Sequence, residues 1–252
     1  MHATDYNRIA KVYDNNPIRF QYDPEPSIEL ILSSEGGAIS ILDLACGTGI
    51  YLLKQRSAFS DPRIHWYGCD LSQDMLDVAK SKLPSTILLT CGDAQHLPYT
   101  DCQFNFISCN FAFHHFVDKP RCIKELNRVL RPHGSFKMYN TCPEAMRSSW
   151  VYHYFKGTRK IDTERFWSRD RIRSTFTDIG FEVRLETTIT EKLYDTSLLL
   201  AEAKNRDMSQ LNLISEAEYQ AGLSRIEKDV NAIRPYDGSF ALLKCTAMKR
   251  NG

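Results

Sequence analysis

Four short apolar runs, separated by segments with helical patterning, constrain the fold of this chain more than any other feature. They are Ile39 to Leu44, Ile64 to Cys69, Ile87 to Cys91 and Phe104 to Asn110. Buried strands that alternate with helices are typical of a parallel sheet covered on both faces. The pattern therefore predicts an α/β fold around a doubly wound, mostly parallel sheet.

The helices between and after these runs have recognisable ends. Ser72 is placed to cap a helix that ends before Pro84. Pro120 opens a second helix, which should stop at the segment Arg131-Pro132-His133-Gly134. A fifth strand is then expected from Ser135 to Tyr139.

The regular alternation of strands and helices breaks down in the second half of the chain. A helix over about 169 to 179 ends at Gly180, a strand begins at Phe181, and Ser239 to Met248 forms a closing strand, which completes seven. Two segments depart from the strand and helix alternation, and we interpret them as helical cap insertions: 143–167, which is aromatic and basic, and 191–236. The second contains a capping box, Ser215 with Glu218, at the start of an amphipathic helix.

Composition excludes several classes of protein. The 252 residues carry 32 Lys and Arg against 31 Asp and Glu, a formal charge of +1, which argues against a dedicated duplex-DNA binder. No uncharged apolar stretch approaches the roughly 20 residues of a membrane span, and Met1 to Asp5 does not begin a signal peptide. We therefore expect a cytoplasmic protein without a membrane span.

The eight cysteines never form a C-x-x-C pair, and several lie inside apolar runs. We interpret them as reduced core residues rather than as zinc ligands or disulfides, and we predict no metal site. Cys46 could be considered a nucleophile, but nothing nearby in the sequence supplies a base, which favours a packed thiol.

A strand that runs into a two-glycine turn is the most informative local motif. Asp43 lies near the end of the first strand, Gly47 and Gly49 follow it, and Asp70 lies 21 residues after Gly49 at the end of the second strand. Such a turn lets a ligand approach bare backbone, and the distal carboxylate can accept both hydroxyls of a ribose. Taken alone, the glycines could serve only a tight turn and Asp43 could be a helix cap. Their joint spacing with Asp70 and with Asp93, after the third strand, favours a nucleotide-like ligand.

Five blocks in order resemble the class I S-adenosylmethionine-dependent methyltransferases, particularly the small-molecule branch of the ubiquinone and menaquinone biosynthesis type. The resemblance covers roughly residues 6 to 140. The blocks are Leu42-Asp43-Leu44-Ala45-Cys46-Gly47-Thr48-Gly49; Gly68-Cys69-Asp70-Leu71-Ser72 with Met75-Leu76; Gly92-Asp93-Ala94 with Leu97-Pro98; Phe104-Asn105 through His114-His115; and Glu125 through Pro132 with Gly134.

The resemblance implies S-adenosyl-L-methionine as cofactor and a role for each matching position. Asp43 would lie near the ammonium group and Asp70 would hold the ribose. The remaining implied contacts fall into four sets: Ala45, Gly47 and Gly49 with Asn110 and Phe111 around the methionyl part; Leu71 and Met75 beside the adenine; Asp93 and Ala94 at its edge; and Tyr6 and Tyr13, in a segment like the family's N-terminal lid, over the sulfonium. Tyr13 could equally be a helix-packing residue.

Methyl transfer from a sulfonium is an in-line displacement, and a hydroxyl acceptor with a pKa of about 10 or above benefits from a base. His114 and His115 directly follow the fourth strand, at the sheet edge where ligands bind. A His pair here is similar to the base of sugar and phenol O-methyltransferases, which often have an acid after the fifth strand. This chain has Asn140 there. His114 is the preferred base and His115 the second candidate; either could instead be a structural link between strand and helix.

The acceptor side is expected in the two cap insertions. The first is dense in aromatic residues, which could wall a pocket for a planar or apolar acceptor or could be the packed underside of a cap. Basic residues outnumber acidic ones by seven to three over residues 156–173, a pattern that fits either an anion site or a solvated face. The aromatic set is Trp150, Tyr152, His153, Tyr154, Phe155, Phe166 and Trp167, with Phe111 and Phe113.

We therefore expect a single methyltransferase domain over residues 1–252, with N-terminal lid helices at 1–37, a cofactor-binding core at 38–142 and the two caps. The expected activity is methyl transfer to an O, N or C atom of a small aromatic or apolar metabolite, without a nucleic-acid partner; a homodimer is possible. Three alternatives stay open: a nucleotide-binding dehydrogenase, disfavoured because no G-x-G-x-x-G run is present; a methyltransferase of RNA or protein; and a non-catalytic S-adenosylmethionine-binding module.

Overall fold

The computed structural model describes residue 14, residues 23–206 and residues 208–250. Tyr6, Tyr13 and most of the predicted lid segment lie outside the described residues. Seven strands form one sheet in the order β3-β2-β1-β4-β5-β7-β6, and the pairings of the first five strands are parallel, which confirms the predicted fold class. The strands are β1 Ile39–Leu44, β2 Ile64–Asp70, β3 Leu88–Cys91, β4 Phe104–Asn110, β5 Leu130–Thr141, β6 Phe181–Tyr194 and β7 Tyr236–Lys249.

Helices connect these strands, and the two serines predicted to cap helix N-termini do so. Ser72 Oγ accepts a hydrogen bond of 3.2 Å from the Met75 amide, and Ser215 Oγ accepts one of 3.3 Å from the Glu218 amide. The helices are α1 Pro26–Ser34, α2 Ile50–Ala58, α3 Gln73–Lys82, α4 Lys119–Val129, α5 Trp150–Tyr154, α6 Gly157–Arg165, α7 Arg169–Asp178, α8 Thr196–Asn205 and α9 Glu216–Asn231, with 3₁₀ turns at Phe113–His115 and Ser209–Asn212.

The fifth strand begins earlier than expected. α4 ends at Val129, and the segment from Arg131 to Gly134 already belongs to β5, because Leu130 pairs with Phe104 and a register shift follows. A Cβ on Gly134 would lie 2.9 Å from the Arg131 carbonyl oxygen. Glycine is therefore needed for backbone packing within the sheet, and the prediction of a strand starting only at Ser135 was wrong.

The chain divides into two compact units. One, the sheet unit, consists of the described residues of Asp5–Asn140, Asp170–Leu185 and Lys244–Gly252; the other, the cap unit, contains Thr141–Arg169 and Glu186–Leu243. The core of the sheet unit includes Ile28, Ile41, Leu52, Trp66, Leu76 and Phe106.

The cap unit has its own core, and the aromatic segment supplies much of it. Trp150, Tyr154 and Phe155 are all buried and pack with Tyr219 and other residues of α9. For these three side chains the structure agrees with the packed alternative, the underside of a cap. A Cβ on Gly222 of α9 would lie 2.2 Å from the Phe155 ring, so this glycine makes room for an aromatic side chain.

Part of the basic run in the cap unit is also internal. Arg165 and Asp162 form a buried ion pair of 2.6 Å, and the Tyr152 hydroxyl donates to the same carboxylate at 2.9 Å. Arg165 therefore lies on neither a solvated face nor an open anion site.

Candidate active site

Asp43 is a buried carboxyl group at the carboxyl end of β1. Its side chain is 2% exposed, and its Oδ1 accepts a hydrogen bond of 2.7 Å from Ser108 Oγ, on the neighbouring strand β4. Burial raises the pKa of Asp43 to about 7; the Ser108 hydroxyl opposes this rise, and the nearby Asp70 carboxylate adds to it. A cation placed beside Asp43 would favour its ionised form. Sequence reasoning missed Ser108, although a serine inside an otherwise apolar strand was a usable signal.

The turn after β1 uses left-handed backbone at Ala45, Gly47 and Gly49. The two glycines differ in what they accommodate. A Cβ on Gly47 would meet nothing within 4 Å, whereas a Cβ on Gly49 would lie 2.6 Å from Leu83 Cδ1. Gly47 thus leaves bare backbone for a ligand, and Gly49 allows α3 to pack closely.

Asp70, at the end of β2, is tied to this turn through the backbone. Its Oδ2 accepts a hydrogen bond of 2.8 Å from the Gly47 amide, and its Oδ1 accepts one of 2.9 Å from the Ser72 amide. Burial raises the pKa of Asp70, and these amide donors oppose the rise. Each carboxylate oxygen has further acceptor capacity, so Asp70 can hold the turn and still accept from a pair of hydroxyls.

The residues that the family resemblance assigns to the adenine differ in their exposure. Leu71 is 72% exposed, whereas Met75 is buried beneath the surface of α3. Asp93 accepts hydrogen bonds from the backbone amide and the side-chain amide of Gln95, and Ala94 is buried. Leu71 therefore offers an exposed apolar surface, whereas Met75 and Ala94 are covered.

An ion-paired arginine on α4 holds the loop that carries Asp93. Arg128 donates to the carbonyl oxygens of Leu97, at 2.9 Å, and Tyr99, at 2.8 Å, and it pairs with Glu125 at 2.7 Å. Glu125 in turn accepts from the Leu97 amide at 2.8 Å. Two of the sequence blocks, at Leu97 and at Glu125 to Arg128, are therefore in contact with each other. Together they fix the loop after β3.

Asn110 is the last residue of β4, and Phe111 directly follows it. Asn110 Nδ2 is buried and has no hydrogen-bond partner among the described residues. Phe111 has a φ of 53°, is 41% exposed and donates its amide to the Tyr139 carbonyl at 2.8 Å. The strand end thus presents a buried amide donor and an exposed aromatic ring.

His114 and His115 lie in the 3₁₀ turn after β4, with ring centroids 3.9 Å apart. His114 is buried, and its Nδ1 lies 3.1 Å from Oδ1 of Asn140, a residue of β5. The Lys119 ammonium donates to the carbonyl oxygens of His114, at 3.3 Å, and Phe116, at 2.8 Å, which fixes the turn. Sequence reasoning noted Asn140 only as the absence of an acid, not as the partner of His114.

Asp14 contacts the glycine turn from the N-terminal segment. Its carboxylate accepts a hydrogen bond of 2.6 Å from Thr48 Oγ and pairs with Lys82 at the end of α3. Sequence reasoning did not identify this contact, since no local pattern distinguishes Asp14 from any other surface acid.

Known proteins resemble this chain in sequence and in fold. A family model described as a methyltransferase domain matches residues 42–138. The demethylmenaquinone methyltransferase of Thermotoga maritima is 30% identical over 208 residues, which cover 72% of this chain and 88% of that protein. The chain belongs to the class I S-adenosylmethionine-dependent methyltransferases of the ubiquinone/menaquinone type.

Solved structures share the fold of this methyltransferase. An S-adenosylmethionine-dependent methyltransferase from Aquifex aeolicus superposes with a TM-score of 0.57 at 15% identity, covering 97% of this chain and 98% of that one. Phosphoethanolamine N-methyltransferase 2 of Haemonchus contortus, solved with S-adenosyl-L-methionine, gives a TM-score of 0.54 at 18% identity, covering 90% and 52%. Matches to two further curated demethylmenaquinone methyltransferases cover 43% and 55% of those proteins.

The enzyme uses S-adenosylmethionine, which carries the transferable methyl group on a sulfonium. Three observations in the sheet unit fit this cofactor: a buried carboxyl at Asp43 whose ionisation a cation would favour, open space beside Gly47, and the unpartnered amide donor of Asn110. Among the described residues, no helix is both long and apolar enough to span a bilayer.

Proposed function

We propose that this methyltransferase acts on a small aromatic acceptor whose hydroxyl group, of phenol or hydroquinone type, is deprotonated by His114. The observation that carries the proposal is the buried His114 at the carboxyl end of β4, on the same strand edge as Asn110. An amine or thiolate acceptor needs little more than positioning, whereas a neutral hydroxyl gains from a nearby base. A buried histidine at this edge is therefore best explained by a hydroxylated acceptor.

The relatives support the same class of acceptor. Their printed names say that they act on demethylmenaquinone, a methyl-accepting quinone. Removal of a proton from the hydroxyl of a reduced quinone or a phenol makes both the oxygen and the adjacent ring carbon nucleophilic. Base catalysis by His114 therefore serves O- and C-methylation alike, with the proton passing from the hydroxyl to His114 Nε2.

On the cofactor side, we propose that Asp43 and Asp70 bind the ammonium and the ribose of S-adenosylmethionine. Gly47 and Asn110 would face the methionyl part, while Leu71 and Asp93 would take the adenine face and edge. The support is that these residues converge on the carboxyl edge of one parallel sheet, where ligands of open α/β folds bind.

A methylation screen tests this function. Radiolabelled S-adenosylmethionine would be offered with hydroquinones, phenols, primary amines, bulk RNA and a protein mixture. We expect label in the hydroxylated aromatics, and we expect His114→Gln to lower kcat by about 10²–10⁴-fold with little change in affinity for S-adenosylhomocysteine. Label in amines or RNA only, or an equal loss of kcat and of binding in the variant, would contradict the proposal.

A further inference from the structure

We propose that Asn140 is a positioning residue: its side-chain carbonyl holds the Nδ1–H tautomer of His114 and thereby makes Nε2 the basic nitrogen. A neutral imidazole carries one N–H, and a carbonyl oxygen can only accept. The 3.1 Å contact between His114 Nδ1 and Asn140 Oδ1 therefore assigns the proton to Nδ1. The catalytic consequence rests on the proposed function above, whereas the tautomer itself does not.

The two side chains are held in register by the sheet. His114 and Asn140 are 8% and 3% exposed, so their contact is shielded from competing water. They extend from the ends of adjacent parallel strands, where Asn110 pairs with Tyr139 and the Phe111 amide donates to the Tyr139 carbonyl. Because the backbone fixes this distance, Asn140 can select the tautomer without a local rearrangement.

An amide does this differently from the acid expected at this position. A carboxylate would also favour the Nδ1–H tautomer, but its charge would stabilise the imidazolium and keep His114 protonated at higher pH. The His115 ring lies tilted on the same turn, with its centroid 3.9 Å from that of His114, and the Lys119 ammonium from α4 binds the His114 carbonyl. Asn140 carries no charge, so it can select the tautomer without the added stabilisation of the imidazolium that a carboxylate would give.

Nitrogen-15 NMR of the histidine side chains tests the tautomer without any methyl acceptor. The full chain, labelled with ¹⁵N, would be compared with His114→Gln to assign the resonances. We expect a protonated Nδ1 and an unprotonated Nε2 for His114, and loss of this preference in Asn140→Leu. A protonated Nε2 in the native protein, the result expected if Asn140 Nδ2 faced the ring, would overturn the proposal, as would an unchanged tautomer in Asn140→Leu.

Kinetics then test the consequence. Asn140→Leu should lower kcat at least tenfold with little change in the KM for S-adenosylmethionine. Asn140→Asp should keep most of the kcat that Asn140→Leu loses, and it should move the acidic limb of the pH–rate profile to higher pH. Equal losses in both variants with an unchanged profile would show a merely structural role.

Asn105 offers a matched control at the other end of the same sheet. It is also buried, and its Oδ1 accepts a hydrogen bond of 2.9 Å from the Ser40 amide. Asn105→Leu should lower stability without altering the His114 tautomer or the pH profile; a shift in either would overturn the assignment to Asn140. If the tautomer is as stated but His114→Gln retains full activity, the positioning stands and the proposed function fails.

Discussion

Replacing Asp43 with asparagine should weaken cofactor binding while stabilising the protein without ligand. Folding raises the pKa of this carboxyl from 3.8 to about 7 because burial penalises its charge. The folded state therefore binds this proton more tightly than the unfolded chain does, and the stability of the ligand-free protein should fall as pH rises from about 4 to above 7. The difference corresponds to on the order of 4 kcal/mol lost at pH 8.

Asparagine avoids the charge but not the desolvation of its own amide. Its Oδ1 can keep the hydrogen bond from Ser108, whereas its Nδ2 would be buried in place of a carboxylate oxygen, at a cost of roughly 1–3 kcal/mol. The expected net effect of Asp43→Asn at pH 8 is a stabilisation of about 1–3 kcal/mol, measured by urea unfolding without ligand. A variant less stable than the native protein at pH 8 would refute the assignment of a costly buried charge.

The same carboxyl predicts how binding depends on pH. If the cationic end of the cofactor requires ionised Asp43, affinity should fall about tenfold between pH 8 and pH 6, equivalent to ~1.4 kcal/mol. Calorimetric titration with S-adenosylhomocysteine measures this, since its own groups do not titrate in that range. Asp43→Asn should bind weakly and without this slope, and Ser108→Ala should move the midpoint to higher pH. An equal slope in the native protein and in Asp43→Asn would refute the reasoning.

Four further substitutions test other parts of the structure. Gly49→Ala should lower stability by about 2–4 kcal/mol, because its Cβ overpacks against α3. Gly47→Ala should lower stability by only about 1–2 kcal/mol, the cost of its left-handed backbone, but should interfere with ligand binding. Urea unfolding measures the loss of stability, and calorimetry measures the loss of binding. Lys137→Ala should destabilise the protein by about 3–5 kcal/mol because it leaves the buried Glu25 carboxylate without its 2.5 Å ion pair, and a loss below 1 kcal/mol would show that this pair is not important. Arg128→Lys should weaken binding of S-adenosylhomocysteine, since lysine cannot reach both loop carbonyls and the carboxylate at once; unchanged affinity would show that the loop holds its position without this contact.

Local chemistry explains which elements could be predicted from the sequence. The bounds of β1 and β4 follow directly from buried apolar runs, and Ser72 and Ser215 cap helices because the capping interaction spans only three residues. The position of Asp43 and Asp70 at one edge of the sheet could be predicted because parallel strands bring their carboxyl ends together.

Contacts between distant segments could not be predicted in the same way. The Lys137–Glu25 ion pair joins residues 112 positions apart, and the His114–Asn140 contact depends on the register between β4 and β5. The early start of β5 reflects pairing with Phe104, which overrides a local stop signal at Pro132. In each case the contact joins residues that are far apart in the sequence and that only the folded sheet brings together.

A crystal structure of the methyltransferase with S-adenosylhomocysteine tests most directly whether this sheet edge binds the cofactor. We expect both ribose hydroxyls within hydrogen-bond distance of the Asp70 carboxylate, the amino group beside Asp43 and the backbone of Gly47 against the methionyl part. Density for the ligand at another place, or at this edge with Asp43 and Asp70 turned away from it, would contradict the central claim.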